Sequence, residues 1–301
     1  MHVDIAAKIN ADIFVFPLQG AFHPIDSIFA SVGLYDRVSL DGSSAEGHGS
    51  GVEVRFTGPY AQNISENDNS VIKVWQEINA KCKLHTALAA PAAAGIAKCK
   101  FNVVKNIPSG AGLGGGSADA AAVLLLCNKM FELKLSEAQL VELGSQVGSD
   151  VPFFIRGGAA RVTGRGEKLS WQKPLDGWIA LFKPKDIFCG TPEIYGKWDE
   201  LNISNSKYQI LNRKFPVTDI RPSFRNDLYH AVASLHPEYE RWLWMLMRAG
   251  FGKTALTGSG AAFFAWCPRQ DLALRAQGLF DPKKFDTWVL PLVSQSCLWQ
   301  T

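Results

Sequence analysis

Between residues 105 and 122 the chain reads KNIPSGAGLGGGSADAAA, and five of the seven residues from Gly110 to Gly116 are glycine. An apolar run from Ala118 to Leu126 follows at once. Residue types in this order suit a loop that wraps a phosphate chain and hands it to a helix N-terminus. Glycine permits positive φ and close approach of the backbone to a ligand. Successive N–H groups can then converge on one anion. A helix beginning near Ser117 adds unpaired N–H groups and the positive end of its dipole. Asp119 is expected in the first helical turn, where a carboxylate is also favoured.

The same stretch satisfies G-x-G-x-x-G, the dinucleotide pattern, but the context does not. That pattern calls for a second strand ending in an acidic residue about 20 positions on. Glu132 lies near that distance, yet Ser136-Glu-Ala-Gln139, a capping box, follows instead of a strand end. A Walker loop ends in Gly-Lys-Ser/Thr, and Gly116-Ser117-Ala118 has no lysine. The protein-kinase set fails as well, because the chain contains no H-R-D or D-F-G triplet. A plain glycine linker would not be bracketed by Val103-Val104 and an Ala/Leu helix.

Two charged residues outside the loop could complete a phosphoryl transfer. Asp150 follows a glycine that ends a helix, and Pro152 biases Val151 to extended geometry. A carboxylate fixed there could take a hydroxyl proton. Lys8 could hold that carboxylate ionised from within about 4–6 Å. On spacing alone, an Asx-turn acid and a surface lysine beside an edge strand are the favoured readings of the two residues. The Ser117 hydroxyl is open to two readings, metal contact and helix N-cap.

The segment Pro108-Ser109-Gly110-Ala111-Gly112-Leu113-Gly114-Gly115-Gly116-Ser117-Ala118 resembles the Pro-x-x-x-Gly-Leu-Gly-Ser-Ser-Ala motif of the GHMP small-molecule kinases. Four further segments agree in order: Ala7-Lys8-Ile9-Asn10, Phe22-His23-Pro24 through Phe29, Gly148-Ser149-Asp150-Val151-Pro152-Phe153-Phe154, and Leu256-Thr257-Gly258-Ser259-Gly260. The resemblance implies an α+β fold of two lobes with the active cleft between them, divided here as residues 1–180 and 181–301. It implies ATP and Mg²⁺ as cofactors, with Lys8 and Asp150 catalytic and the loop 108–117 on the phosphates. Asn69 and Lys105 match positions near adenine and phosphate, and Ser117 matches the metal contact. The form with three consecutive glycines implies a cytidine diphosphate-linked methylerythritol as the alcohol. Phe22 and Tyr195 would then stack the base, His23 would bond its edge, and Asn10 would meet the alcohol region. Three positions depart from the pattern. The stretch Phe16–Ala21 is short and uncharged, Phe22 replaces a tyrosine, and Ala118 replaces a serine. A homoserine- or mevalonate-type kinase and a silent binding protein of the same fold are the alternatives.

Composition narrows the partners. The 301 residues are 47% hydrophobic, enough for a large core. The net charge of +3 is dispersed, without a block of like charge, which gives nucleic acid or an acidic membrane nothing to bind. No apolar run reaches the roughly 18 residues of a membrane span. Nothing ahead of Ala7 resembles a leader. The six cysteines are scattered without a C-x-x-C pair, as expected for reduced thiols in a cytoplasmic monomer or homodimer.

The elements that must position these residues are legible in part. Strand-like alternation marks Val3–Ile5, Ile13–Phe16, Arg37–Leu40 and Val52–Phe56, with Gly42–Gly51 as a long hairpin loop. Val71, Val74, Trp75 and Ile78 predict a helix over 70–80. Lys98–Lys105 is expected to be a strand feeding the loop. Ser136 starts a helix that ends at Gly148, a natural glycine cap. Gly157–Trp171 reads as a hairpin. Asn226–Leu235 and Glu238–Ala249 read as helices, and Thr254–Thr257, Phe263–Trp266 and Trp288–Leu292 as strands.

Overall fold

Residues 1–44, 51–62, 64–65, 69–89, 98–204 and 222–300 are described by a computed structural model. The chain opens with two long strands, β1 (His2–Val15) and β2 (Ile25–Ser44), followed by β3 (Val52–Thr57), helix α1 (Ser70–Ala89) and β4 (Lys98–Val104). Helices α2 (Gly115–Met130), α3 (Glu137–Val147) and α4 (Val151–Arg156) come next, then the hairpin β5 (Ala159–Gly164) and β6 (Lys168–Gln172). The second half runs β7 (Trp178–Pro184), α5 (Thr191–Ser204), α6 (Tyr229–Leu235), α7 (Glu238–Arg248), β8 (Thr254–Leu256), β9 (Phe263–Cys267), α8 (Gln270–Gln277), β10 (Phe285–Pro291) and β11 (Cys297–Gln300).

Two sheets organise these elements, so the α+β expectation holds. The first has seven strands in the order β11-β1-β2-β4-β3, with β5 and β6 continuing from β2. The second is β10-β7-β9-β8, antiparallel throughout. The boundary expected between residues 180 and 181 falls inside β7, and β11 returns from the far end of the chain to pair with β1. The expected hairpin between β2 and β3 does not form. Instead β4 lies between them, antiparallel to β2 and parallel to β3. Residues 45–50 of that connection lie outside the described residues.

The core of the first lobe explains why its strands are longer than alternation suggests. Residues Ile5 to Ile13 of β1 are all buried, with α2 packed against the strand. A strand buried on both faces loses the period-two signal. Helix α2 is buried nearly all round from Ala118 to Leu124 and packs on α1 and β1. The predicted stripe of α1 points inward, with Trp75 edge-on to Phe101 at 5.9 Å. In the second lobe Phe182, Phe263, Phe280 and Phe285 form a cluster of rings that receives Tyr239 and Trp242 from α7.

Local signals were kept in some places and overridden in others. Ser136 and Gln139 form the reciprocal capping box of α3. Gly148 ends that helix with φ −171°, an extended conformation open to any residue, so it is not the left-handed cap its type suggests. Gly157 is different. It caps α4 at φ 76° and ψ −155°, a region reserved for glycine. A β-carbon there would lie 2.2 Å from the amide nitrogen of Ser296. Ser296 in turn bonds the Arg156 and Phe154 carbonyls and the Ala6 amide. This contact ties the turn after Asp150 to the first strand.

Gly157→Ala is therefore expected to cost more than about 3 kcal/mol, the sum of backbone strain and a displaced backbone contact. Gly196, exposed within α5 with open space around it, gives the opposite outcome. Gly196→Ala should gain about 0.5–1 kcal/mol. Denaturant melts of the two variants check both signs.

Candidate functional site

The glycine loop is held from two sides before any ligand is considered. Gly110, Gly112 and Gly114 take φ values of 64°, 73° and 73°. The Leu113 carbonyl accepts the Lys8 amide at 3.0 Å, which fastens the loop to β1. The Gly110 and Ala111 carbonyls accept the amides of Ala261 and Ala262 at 3.1 and 3.2 Å, which fastens it to the turn between β8 and β9. Thr257 closes the arrangement. Its hydroxyl donates to the Gly112 carbonyl at 3.0 Å and accepts the Asn10 amide at 3.0 Å. Gly112 and Thr257 approach so closely that a β-carbon on Gly112 would fall 1.9 Å from the Thr257 carbonyl oxygen.

The loop borders a cleft of about 450 Å³. That volume lies within the usual range for small-ligand sites. Residues 108–117 form one wall. Lys8, Asn10 and Asp150 lie at its base, and Thr191, Tyr195, Gly258 and Ser259 come from the second half of the chain. Helix α2 starts at Gly115, and its cap is Gly114 in a left-handed conformation without a side-chain bond. Ser117 is therefore inside the first turn and is not the N-cap. Its residue lines the cleft. Asp119 is too far along α2 to serve the first turn and is buried.

Lys8 is almost wholly buried at the base of the cleft, 4% exposed. Its ammonium donates to Asn10 Oδ1 at 2.5 Å and lies 3.6 Å from Asp150 Oδ2. The Phe29 ring sits beneath it, 4.6 Å from the nitrogen to the ring centre. Burial pulls the Lys8 pKa down, and the nearby Asp150 carboxylate opposes that shift. Asn10 is itself oriented by a bond from its amide nitrogen to Ser27 Oγ at 2.9 Å. Asp150 precedes the six-residue helix α4, an element that the extended bias of Val151-Pro152 did not suggest. The Asp150 side chain is 29% exposed and faces the cleft, with Gly166 of the β5–β6 turn against it.

The aromatic residues gather at one end. Tyr195 lines the cleft and stacks on His23 with ring centres 5.4 Å apart. Burial, followed by the charge of Asp150, pushes the Tyr195 phenol up to about 12. His23 is engaged at both ring nitrogens, by the Phe16 carbonyl at 3.0 Å and Asp199 at 3.2 Å. Phe22 is outside the cleft lining and 41% exposed, with the Arg165 guanidinium 5.6 Å from its ring centre. Arg165, Ser70, Thr191 and Ser259 also line the cleft; none was named as a site residue, although Ser259 lies in the Leu256–Gly260 motif. Arg165 belongs to the turn between β5 and β6, where nothing local in the sequence marks it for the cleft. Thr191 opens α5 in the same Thr-Pro start that leads to Tyr195.

Two expected nucleotide residues are placed elsewhere. Asn69 is the N-cap of α1, accepting the Ile72 amide at 3.0 Å, and does not line the cleft. Lys105 is 2% exposed behind the loop. Its ammonium donates to Asp36 and, at 2.6 Å, to Asp119. Burial lowers the Lys105 pKa, but Asp119 and Asp36 together outweigh it and the net shift is upward. Burial and the Asp36 charge push Asp119 up to about 7 in spite of Lys105. Among the described residues no group of three or more His, Cys, Asp or Glu is arranged to hold a metal, and no helix is long and apolar enough to cross a membrane.

The comparisons with known proteins agree on one family. The model for the GHMP kinases N terminal domain matches residues 69–158, and that for the GHMP kinases C terminal domain matches residues 220–278. A 4-diphosphocytidyl-2-C-methyl-D-erythritol kinase of Marinobacter nauticus is 37% identical over 220 residues, 70% of this chain and 67% of the relative. The enzyme of the same name from Bifidobacterium adolescentis is 30% identical over 292 residues, 91% of this chain and 85% of the relative. A crystal structure of 4-(cytidine 5'-diphospho)-2C-methyl-D-erythritol kinase superposes with a TM-score of 0.72 at 26% identity, covering 97% of this chain and 99% of that one. Homoserine kinase from Cytophaga hutchinsonii shares the fold, with a TM-score of 0.63 at 16% identity over 98% and 95% of the two chains.

The buried carboxyl of Asp119 predicts a pH dependence. Its folded pKa of about 7 lies above the ordinary carboxylate value of 3.8. Between those values the folded chain holds a proton that the unfolded chain has released, so stability falls as pH rises. Asp119→Asn removes this slope while leaving Lys105 paired with Asp36. The melting temperature of the variant relative to wild type should therefore rise from pH 5 to pH 8. A constant difference across that range would mean that Asp119 is already ionised in the fold at pH 5.

Proposed function

The chain belongs to the GHMP kinase family, and on that footing we propose that it transfers the γ-phosphoryl group of ATP to the 2-hydroxyl of 4-diphosphocytidyl-2-C-methyl-D-erythritol. The observation that carries this reading is the pairing of buried Lys8 with Asp150 at 3.6 Å on the floor of a glycine-walled cleft. The similarity to 4-diphosphocytidyl-2-C-methyl-D-erythritol kinases over most of the chain supports the choice of alcohol.

Phosphoryl transfer asks the protein mainly for positioning and charge compensation. The backbone amides of the loop 110–116 and the N-terminus of α2 provide an anion site for the triphosphate. Mg²⁺ fits as a companion of the triphosphate, since it keeps most of its water and takes few protein ligands. Ser117 would be its protein contact, and the ion would neutralise phosphate charge when bound. Asp150, partly open to the cleft, would accept the proton of the substrate hydroxyl. Lys8 then offsets the negative charge that builds between alkoxide and phosphate. Asn10 fixes the direction of the ammonium, and burial keeps water from competing with it. Stacking of the base falls to Tyr195, which already lines the cleft, with His23 stacked behind it; Phe22 lies outside the lining.

Product formation from the cytidyl alcohol, measured beside homoserine and mevalonate, tests the substrate. Turnover of homoserine or mevalonate with none of the cytidyl compound would move the chain to another branch of the family. Asp150→Asn preserves shape and should lower turnover by at least about 10²-fold, the low end for a lost general base, with nucleotide affinity retained. Lys8→Met should depress turnover in the same way, because its charge acts most strongly on the transition state. The two losses should be less than additive in the double variant. Single-turnover kinetics would read all three, and a wild-type rate for Asp150→Asn would remove it as the base.

A further inference from the structure

A second charged group lies under the loop and takes no part in the chemistry above. Asp36, on β2, is fully buried. Its Oδ1 accepts the backbone amides of Asn106 and Ile107 at 2.5 and 2.8 Å, and its Oδ2 accepts the Lys105 ammonium. Three donors on one carboxylate are more than a structural ion pair needs. Two of them are the backbone root from which the glycine loop departs. The third, the Lys105 ammonium, reaches forward beneath the loop, where a β-carbon on Gly115 would be 3.3 Å from it. On its far side the same ammonium holds Asp119 within α2. The chain from Asp36 through Lys105 to Asp119 thus spans both ends of the loop. It leaves no Lys105 surface on the cleft.

We propose that Asp36 is a positioning residue for the nucleotide: it fixes the root of the phosphate loop through the Asn106 and Ile107 amides, and it holds Lys105 as an internal strut between that root and α2. Lys105 acts through the loop and does not touch the phosphates. The inference rests on the reading that residues 108–117 hold the ATP phosphates. It differs from any stabilising role of a buried ion pair in one respect. A stabilising pair affects folding alone, whereas a strut sets the geometry of amides that bind an anion.

Asp36→Asn separates these roles. Its carbonyl oxygen can still accept the two backbone amides, but its amide nitrogen faces the Lys105 ammonium as donor to donor. Loss of a hydrogen bond to a charged group should weaken binding of the magnesium complex of a non-hydrolysable ATP analogue by about tenfold. KM for ATP should rise in parallel, while kcat at saturating ATP falls no more than about threefold because Lys8 and Asp150 are not altered. If Lys105 were instead a direct phosphate ligand, freeing it from Asp36 would leave nucleotide affinity unchanged or improve it. That result overturns the proposal. Gly116→Val is the control for the underlying reading. Gly116 is exposed on the cleft, and a β-carbon there meets only Ser70 Oγ, at 3.1 Å. If Gly116→Val binds the analogue as wild type does, the loop is not the phosphate site. If it fails to bind while Asp36→Asn binds normally, only the strut is wrong. A measurement on the wild-type protein covers the case in which Asp36→Asn does not fold. Amine labelling read by mass spectrometry should leave Lys105 unmodified both with and without the analogue. Modification of Lys105 in the free protein, with protection by the analogue, would overturn the proposal.

Discussion

The closeness of Gly112 to the Thr257 carbonyl governs the rest of the site. No side chain fits between them, so loop and turn meet as bare backbone. That contact joins residues more than a hundred positions apart and lets one hydroxyl serve both. Thr257 bonds the Gly112 carbonyl and the Asn10 amide at once, so the glycine loop, β1 and the β8–β9 turn share a single reference point. Lys8 is next to Asn10 on the strand, and the Lys8 amide is bonded to Leu113. The distance between the loop amides and the Lys8–Asp150 pair is therefore set by backbone contacts. Backbone contacts tolerate far less drift than side chains do, and phosphoryl transfer depends on that distance.

The two halves of the chain are fastened near the same point. Asp12 on β1 accepts the Ser223 and Arg225 amides at 2.8 and 2.9 Å and the Ser223 hydroxyl at 2.6 Å. Asn226 donates to the carbonyls of Leu256 and Gly258 at 3.0 and 2.8 Å. Such a seam is polar, but each buried group in it has a partner, which is the condition for a polar seam to hold. Tyr195, Thr191 and Ser259 of the second half line the same cleft as the loop.

How much of this could be read from residues alone depends on the range of the determining contact. The loop, the capping box at Ser136, the inward stripe of α1 and the hairpin after Gly157 are set by neighbours in sequence, and each was legible. The pairing of β3 with β4 was not, because the β2–β3 connection gives no sign that a later strand will insert. The central part of β1 was hidden for another reason: with both faces buried, Ala6 to Ala11 show no alternation. Lys8 and Asp150 were identified by motif, since spacing alone favoured a surface lysine and a turn acid. Burial of Lys8 at 4% removes the surface reading. The same kind of matching led Lys105 toward the nucleotide, and in the structure its ammonium is buried against two carboxylates. Asp36 lies 69 positions upstream of Lys105, and nothing in the intervening sequence announces the contact.

The contrast between the two buried lysines shows how one lobe can assign opposite tasks to the same residue type. For Lys8, burial is the larger influence and the single carboxylate at 3.6 Å only partly opposes it, so the pKa falls. An ammonium held in that way is underpaired. It gains stabilisation from any negative charge that develops beside it, which is the property a group needs if it is to favour a transition state over the ground state. For Lys105, burial is also the largest single influence, but two carboxylates in direct contact outweigh it and the pKa rises. Its charge is already satisfied, and moving it toward a ligand would strand two buried carboxylates. Position in the fold thus separates a lysine that can respond to charge from one that can only bear load, and the difference comes from the number of carboxylates within contact rather than from depth of burial.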